Sequence, residues 1–240
     1  MIHDSAFIDP SAQIADNVTI GAFCHIGKNV ILEDGCVLAS HVILNDNITC
    51  KADVKIFSHV NIGNGISHIF IGQRTHIREF SLIATESENT KDVLIEDDNF
   101  IMAYVKISNG TKMEKSCVVT NAVTILEDVT CKEKVIVGGL STIEAGVSIG
   151  TGVMIGGASY IDRDMPPFTL VEGNHAQVRG LNIVGLRRRL DNKDDIKEIK
   201  SAYKSIYKES INKDEAKRLL QNSNNIYVKE FCKFIVDYNV

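Results

Sequence analysis

Every sixth residue along most of this chain is apolar. Stepping from Ile8 gives Ile14, Ile20, Ile26, Leu32, Leu38, Leu44, Cys50, Ile56 and Ile62, ten apolar residues without a miss. A second run begins at Ile71 with Ile77 and Ile83 and misses once, at Asn89. It resumes at Ile95 and continues through Ile101, Ile107, Met113, Val119, Ile125, Cys131, Val137, Ile143, Ile149 and Ile155 to Ile161. Two residues before these positions stand small or β-branched side chains: Ala12, Val18, Cys24 and Val30, and later Val123, Val129 and Val135.

Neither the 3.6-residue period of a helix nor the two-residue alternation of a strand yields six. Three short strands of six residues each make one triangular coil of about eighteen, with an aliphatic side chain pointing inward from every strand. One such coil cannot bury its apolar face alone, so the core exists only through stacking. Residues 1–165 are therefore expected to form a mainly β fold, a parallel β-helix of hexapeptide repeats. Two interruptions break the phase. The step from Ile62 to Ile71 is nine residues, and the polar stretch Ala84–Asp92 occupies the place of the missed rung and is expected to leave the prism as a loop. Insertions on a rigid scaffold are where function concentrates.

The repeat ends before Pro166 and Pro167, because prolines cannot donate to a ladder. Residues 166–190 form a connector, and residues 191–240 a small helical domain. There Ile196, Ile199, Tyr203, Ile206 and Tyr207 fall on one helical face. Asn212 with Glu215 fits a capping box. Leu219, Leu220, Phe231, Phe234, Ile235 and Tyr238 continue a second stripe, with a break at Asn222–Asn225.

Composition adds less. The chain is 44% hydrophobic and 24% charged, with neither a signal peptide nor an apolar stretch of membrane-spanning length, so a cytoplasmic protein is expected. Charge is uneven: residues 182–240 carry 13 Lys/Arg against 9 Asp/Glu, while residues 1–181 carry 13 against 22. A basic tail of that kind suits an acidic partner. Five of the six cysteines (Cys24, Cys36, Cys50, Cys117, Cys131) fall on inward positions and read as reduced packing residues. No C-x-x-C pair, metal-ligand spacing or nucleic-acid signature is present, so neither metal nor cofactor is expected.

At the connector the residues become recognisable. Pro166-Pro167, Gly173-Asn174-His175-Ala176 and Gly180-Leu181-Asn182-Ile183-Val184-Gly185-Leu186-Arg187-Arg188-Arg189 closely resemble the acyl-[acyl-carrier-protein]–UDP-N-acetylglucosamine O-acyltransferases that begin lipid A biosynthesis. The opening Met1–Pro10 and Ile77-Arg78-Glu79 look like that family too, so the resemblance spans the chain. It implies a left-handed winding and a homotrimer with active sites between neighbouring prisms. The implied reaction moves a fatty acyl group from acyl-carrier protein to the 3-hydroxyl of UDP-N-acetylglucosamine. The partners implied are that acidic carrier and a UDP-sugar.

The resemblance also places residues. The family carries its histidine base in a His-x-x-His-Asp stretch, and here Phe100–Gly110 stands in that place. Met102 and Cys117 fix the alignment, so Lys106 and Asn109 occupy the two histidine positions and Gly110 the aspartate. Asn109 holds the place of the base itself, and an amide is no base near pH 7. Asp128 and Glu144 stand for two further family histidines, Ala84 for one on the acceptor side, and Val184 for a carboxylate. Gly157 and His175 match positions that set acyl-chain length. Asn182, Arg188 and Arg189 match positions near nucleotide and phosphopantetheine, where guanidinium suits phosphate. His59 and His76 flank the first insertion as spare candidates for a base. Two other readings stay open: a non-catalytic binding or scaffold subunit, and a hexapeptide transferase for another sugar nucleotide, whose amine would need no such base.

Overall fold

The period of six becomes three flat faces wound about one core in the computed structural model, which describes residues 1–85, 90–207, 211–238 and 240. Strands of two or three residues follow one another around the prism, and each pairs in parallel with the strand one coil later. The first face runs from Phe7–Ile8 to Tyr160–Ile161 in nine strands, the second from Gln13–Ile14 to Ser148–Ile149 in eight. The third starts at Thr19–Ile20 and ends on the hairpin Thr169–Gly173 and Ala176–Leu181, giving ten. This is the left-handed parallel β-helix.

Like side chains stack on like because the register advances by a whole coil. Ile8 pairs with Ile26 and Ile143 with Ile161, each eighteen residues on. The ladder residues from Ile20 to Ile161 are buried, as are all six cysteines. Burial pushes the Cys131 thiol up to about 12 and Cys36 up to about 11, so neither carries a thiolate near neutral pH.

Both interruptions fall on the corner between the first and second faces. Ile62 pairs with Ile83, 21 residues on, so the first insertion adds three. Ile71 pairs with Ile95, 24 residues on, so the second adds six. The expected missed rung is thus no loss of a rung: Leu82–Ile83 on the first face leads directly to Val93–Ile95 on the second. Asn89 itself lies outside the described residues.

The stack also runs past the prolines where the sequence pattern ends. Met165 bridges to Ile149 and Thr169–Gly173 pairs with Met154–Ile155, completing a further coil. Pro166 and Pro167 sit in the corner between these pairings, where Thr169 Oγ1 donates to the Pro166 carbonyl at 2.7 Å. A corner needs no ladder donor, which is why the repeat survives them.

The connector, with no element expected in it, holds that hairpin and a short helix, α1 (Ile183–Arg189). Three further helices follow: α2 (Lys193–Ile206), α3 (Lys213–Asn222) and α4 (Ile226–Asp237). Each starts at an asparagine whose side chain accepts from backbone N–H in the first turn: Asn182, Asn192, Asn212 and Asn225. The break between α3 and α4 falls where the sequence places it. Ile196, Ile199, Ile206, Val228, Phe231 and Ile235 close a second core that reaches Phe168 at the foot of the prism.

Candidate functional site

The corner joining the first and second faces carries Ala84, Asn109, Gly110, Asp128 and Glu144 of the residues singled out from the sequence. In descending coils it bears the first insertion, the second insertion, Asn109 with Gly110, then Asp128, then Glu144. Neighbouring coils are about 4.8 Å apart. Asn109 is completely buried. Its Nδ2 donates to Ser67 Oγ at 2.8 Å and to the Lys91 carbonyl at 3.1 Å, while Oδ1 has no hydrogen-bond partner among the described residues. A carbonyl accepts only, so the amide orientation is fixed. One coil down, Asp128 Oδ2 receives Lys91 Nζ at 2.5 Å, and the Asp128 N–H donates to the Asn109 carbonyl at 3.1 Å. Ser67 and Lys91 had no role in the sequence reading; only their place in the two insertions marks them.

Lys106 stands on the first face between Leu82 and Thr124, one strand before Asn109. The spare histidines do not converge on this corner. His59 lies on the corner between the third and first faces, in an exposed aromatic column Phe23–His41–His59–Phe80–Tyr104 with ring centroids 4.7–5.2 Å apart. His76 lies on the third face, where burial and the charges of Lys55 and Arg78 hold its imidazole below its usual range. That column recurs every eighteen residues, lengthened at the insertions, and was legible in the sequence as a spacing.

Further down the same corner the polar groups pair. Tyr160 donates its hydroxyl to Glu144 Oε1 at 2.7 Å, a bond that raises the phenol out of its ordinary range. His175, at the tip of the hairpin, holds Asp162 Oδ2 at 2.5 Å and meets the Tyr160 ring edge-on at 5.2 Å. Burial opposes ionisation of Asp162, but hydrogen bonds from His175 and Arg163 outweigh it and keep the carboxyl low. Gly157 sits across the first face on the other corner, where a Cβ would stand 3.3 Å from the Gly139 carbonyl. Among the described residues no cluster of three His, Cys, Asp or Glu side chains is arranged to hold a metal.

The remaining predicted residues gather elsewhere. Asn182 caps α1 by accepting from Gly185 N–H at 2.9 Å and donates through Nδ2 to the Gly152 carbonyl at 3.1 Å. Gly185 is required there, since a Cβ would come within 2.5 Å of that Nδ2. Arg189 lays its guanidinium over the Phe168 ring at 5.6 Å, and its buried Nη1 has no hydrogen-bond partner among the described residues. Arg188 and Arg189 join Lys134 around a cavity of about 740 Å³ on the third face, floored by Ile136, Met154 and Leu170. Among the described residues its lining has three cationic side chains and no carboxylate. The place suits an anionic ligand with an apolar part.

A triangular prism sets its third face opposite the corner between the first and second. The two predicted halves therefore lie on opposite sides of one chain. The Asn109 corner carries polar groups and insertions, whereas the third face carries the arginines and the cavity. No side chain of one half touches the other in the contacts among the described residues.

Comparison with known proteins gives these halves a setting. Residues 164–239 match the family model described as UDP-N-acetylglucosamine O-acyltransferase, domain 2, and residues 11–46 match bacterial transferase hexapeptide (six repeats). The chain is 45% identical to the acyl-[acyl-carrier-protein]–UDP-N-acetylglucosamine O-acyltransferase of Aliarcobacter butzleri, over 98% of this chain and 95% of that one. It is 40% identical to the protein of the same description from Campylobacter jejuni subsp. doylei, over 98% and 94%. Among solved structures, the UDP-N-acetylglucosamine acyltransferase from Campylobacter jejuni superposes with a TM-score of 0.94 at 33% identity, covering 100% of this chain and 97% of that one. No described helix is long and apolar enough to cross a membrane.

Proposed function

This chain belongs to the acyl-[acyl-carrier-protein]–UDP-N-acetylglucosamine O-acyltransferase family, and on that premise we propose that it binds an acyl-carrier-protein thioester and a UDP-sugar but acylates a sugar hydroxyl far more slowly than a histidine-bearing member. One observation carries this reading: Asn109, at the position of the family's base, is buried, with its amide donor engaged and no proton-accepting nitrogen. In the reaction the sugar 3-oxygen bonds to the thioester carbonyl carbon, the C–S bond breaks, and the hydroxyl proton must reach the departing thiolate. A positioned base contributes roughly 10²–10⁴-fold to such a step. An amide does not supply it, and the Asp128 carboxylate is engaged by the Lys91 ammonium.

The proposed binding half lies on the third face. Arg188, Arg189 and the Asn182 cap present guanidinium and amide donors around the third-face cavity. Because this half faces away from the Asn109 corner, a site using both requires a second copy, which supports a homotrimer with sites between prisms. The carrier protein as donor puts the work in the cytoplasm. The absent base equally suits an amino-sugar nucleotide, since a neutral amine attacks a thioester without prior deprotonation.

Titration calorimetry tests the reading. Wild type is expected to bind both UDP-N-acetylglucosamine and a non-hydrolysable acyl-carrier-protein thioester. Arg189→Ala is expected to weaken the sugar nucleotide roughly 10- to 100-fold, the range for a lost hydrogen bond to a charged group. Failure of the wild type to bind either ligand would sink the proposal. A parallel assay with a UDP-sugar bearing a 3-amine separates the two acceptors.

A further inference from the structure

The substitutions around Asn109 form a connected unit. The two insertions are first tied to each other: the His68 N–H donates to Asp92 Oδ1 at 2.9 Å, and the Val93 N–H donates to the His68 carbonyl at 3.0 Å. Asn64 Oδ1 accepts from the Ser67 N–H at 3.0 Å and shapes the first insertion from within. Asn109 then reaches both, with one amide nitrogen on Ser67 Oγ and the Lys91 carbonyl. Asp128 completes the arrangement by pairing with the Lys91 ammonium from the coil below. Gly110 makes room for it. A Cβ there would stand 2.2 Å from Asp128 Oδ1, and the backbone φ of +77° already suits glycine.

We infer that Asn109, Gly110, Asp128 and Lys91 form a clamp that fixes residues 64–68 and 90–93 on the first–second corner, and that Asn109 is a positioning residue for the rim past which the acceptor sugar enters. The clamp rests on the geometry above, and its bearing on the acceptor rests on the proposed function. An amide suits this task better than an imidazole, because one NH₂ serves two acceptors while a neutral imidazole has a single N–H. Asp128 plays its part only as a carboxylate facing an ammonium, and Gly110 only without a Cβ. The residues that differ from the family pattern here are thus mutually dependent.

Hydrogen exchange on the intact protein tests the clamp. Asn109→Ala is expected to speed exchange in residues 64–68 and 90–93 by about 10-fold, the effect of losing a buried hydrogen bond from a locally opening segment. Ser67→Ala, a milder change, is expected to speed residues 64–68 with less effect on 90–93. In Asn109→Ala, affinity for UDP-N-acetylglucosamine should fall about 10-fold while that for the acyl-carrier-protein thioester stays within about twofold, consistent with one lost interaction on the acceptor side alone. Unchanged exchange in both segments, or an equal rise throughout the prism, would overturn the clamp. Equal losses of both affinities would overturn the positioning role. A wild type that binds no sugar nucleotide removes the proposed function, and the exchange result still decides the clamp.

Discussion

Asn109→His is expected to raise acyl transfer to the 3-hydroxyl of UDP-N-acetylglucosamine by about 10²–10⁴-fold, the usual contribution of a positioned general base. The geometry says how the new ring would sit. Donation from one ring nitrogen to the Lys91 carbonyl, which now receives the Asn109 amide at 3.1 Å, would fix the tautomer and leave the other nitrogen as the proton acceptor. The same substitution gives up the second donor bond, to Ser67 Oγ. A fall in stability of about 0.5–1.5 kcal/mol should therefore accompany the gain in rate, the net worth of one hydrogen bond. Steady-state kinetics and a thermal melt on the same preparation check both. A variant that folds, binds both substrates and turns over no faster than wild type would show that the missing base does not limit this site.

A larger effect on folding is expected from Ile56→Asp. Ile56 lies inside the prism, 1% exposed, stacked between Leu38 and Ile77. A carboxylate there has no partner, and burying an unpaired charge costs enough to rival the roughly 5–15 kcal/mol that holds a domain together. Coils stabilise only their neighbours, so a broken rung also removes support from the coils above and below. Lys55, one residue earlier, points outward, and Lys55→Asp should change stability by no more than about 0.5 kcal/mol. Circular dichroism melts of the pair test the register residue by residue. Equal melting temperatures would contradict it.

The prism was open to reading because each inward position is chemically forced. A period of six sustained through Ile161 has few other physical meanings, and the insertions appear as phase shifts of whole residues. The last coil was hidden because Pro166 and Pro167 interrupt the pattern just where a corner tolerates them. The hairpin and α1 in the connector had no periodicity to announce them. For the site, the resemblance named Asn109, Asp128, Asn182 and Arg189. It did not reveal that Asn109 and Arg189 face opposite sides of the prism, since their relative facing depends on the coil hidden behind Pro166 and Pro167 and on the hairpin and α1 that follow it. Ser67 and Lys91 were out of reach for a related reason. Their bonds to Asn109 span 42 and 18 residues, and an insertion's path is not encoded in a repeat.

Single-turnover acyl transfer, run beside a histidine-bearing family member with both substrates saturating, isolates what the absent base costs. This protein is expected to bind acyl-carrier-protein thioester and UDP-N-acetylglucosamine, yet to form the ester about 10²–10⁴ times more slowly, the deficit of one absent base. Transfer at the relative's rate, with Asn109 in place, would contradict it.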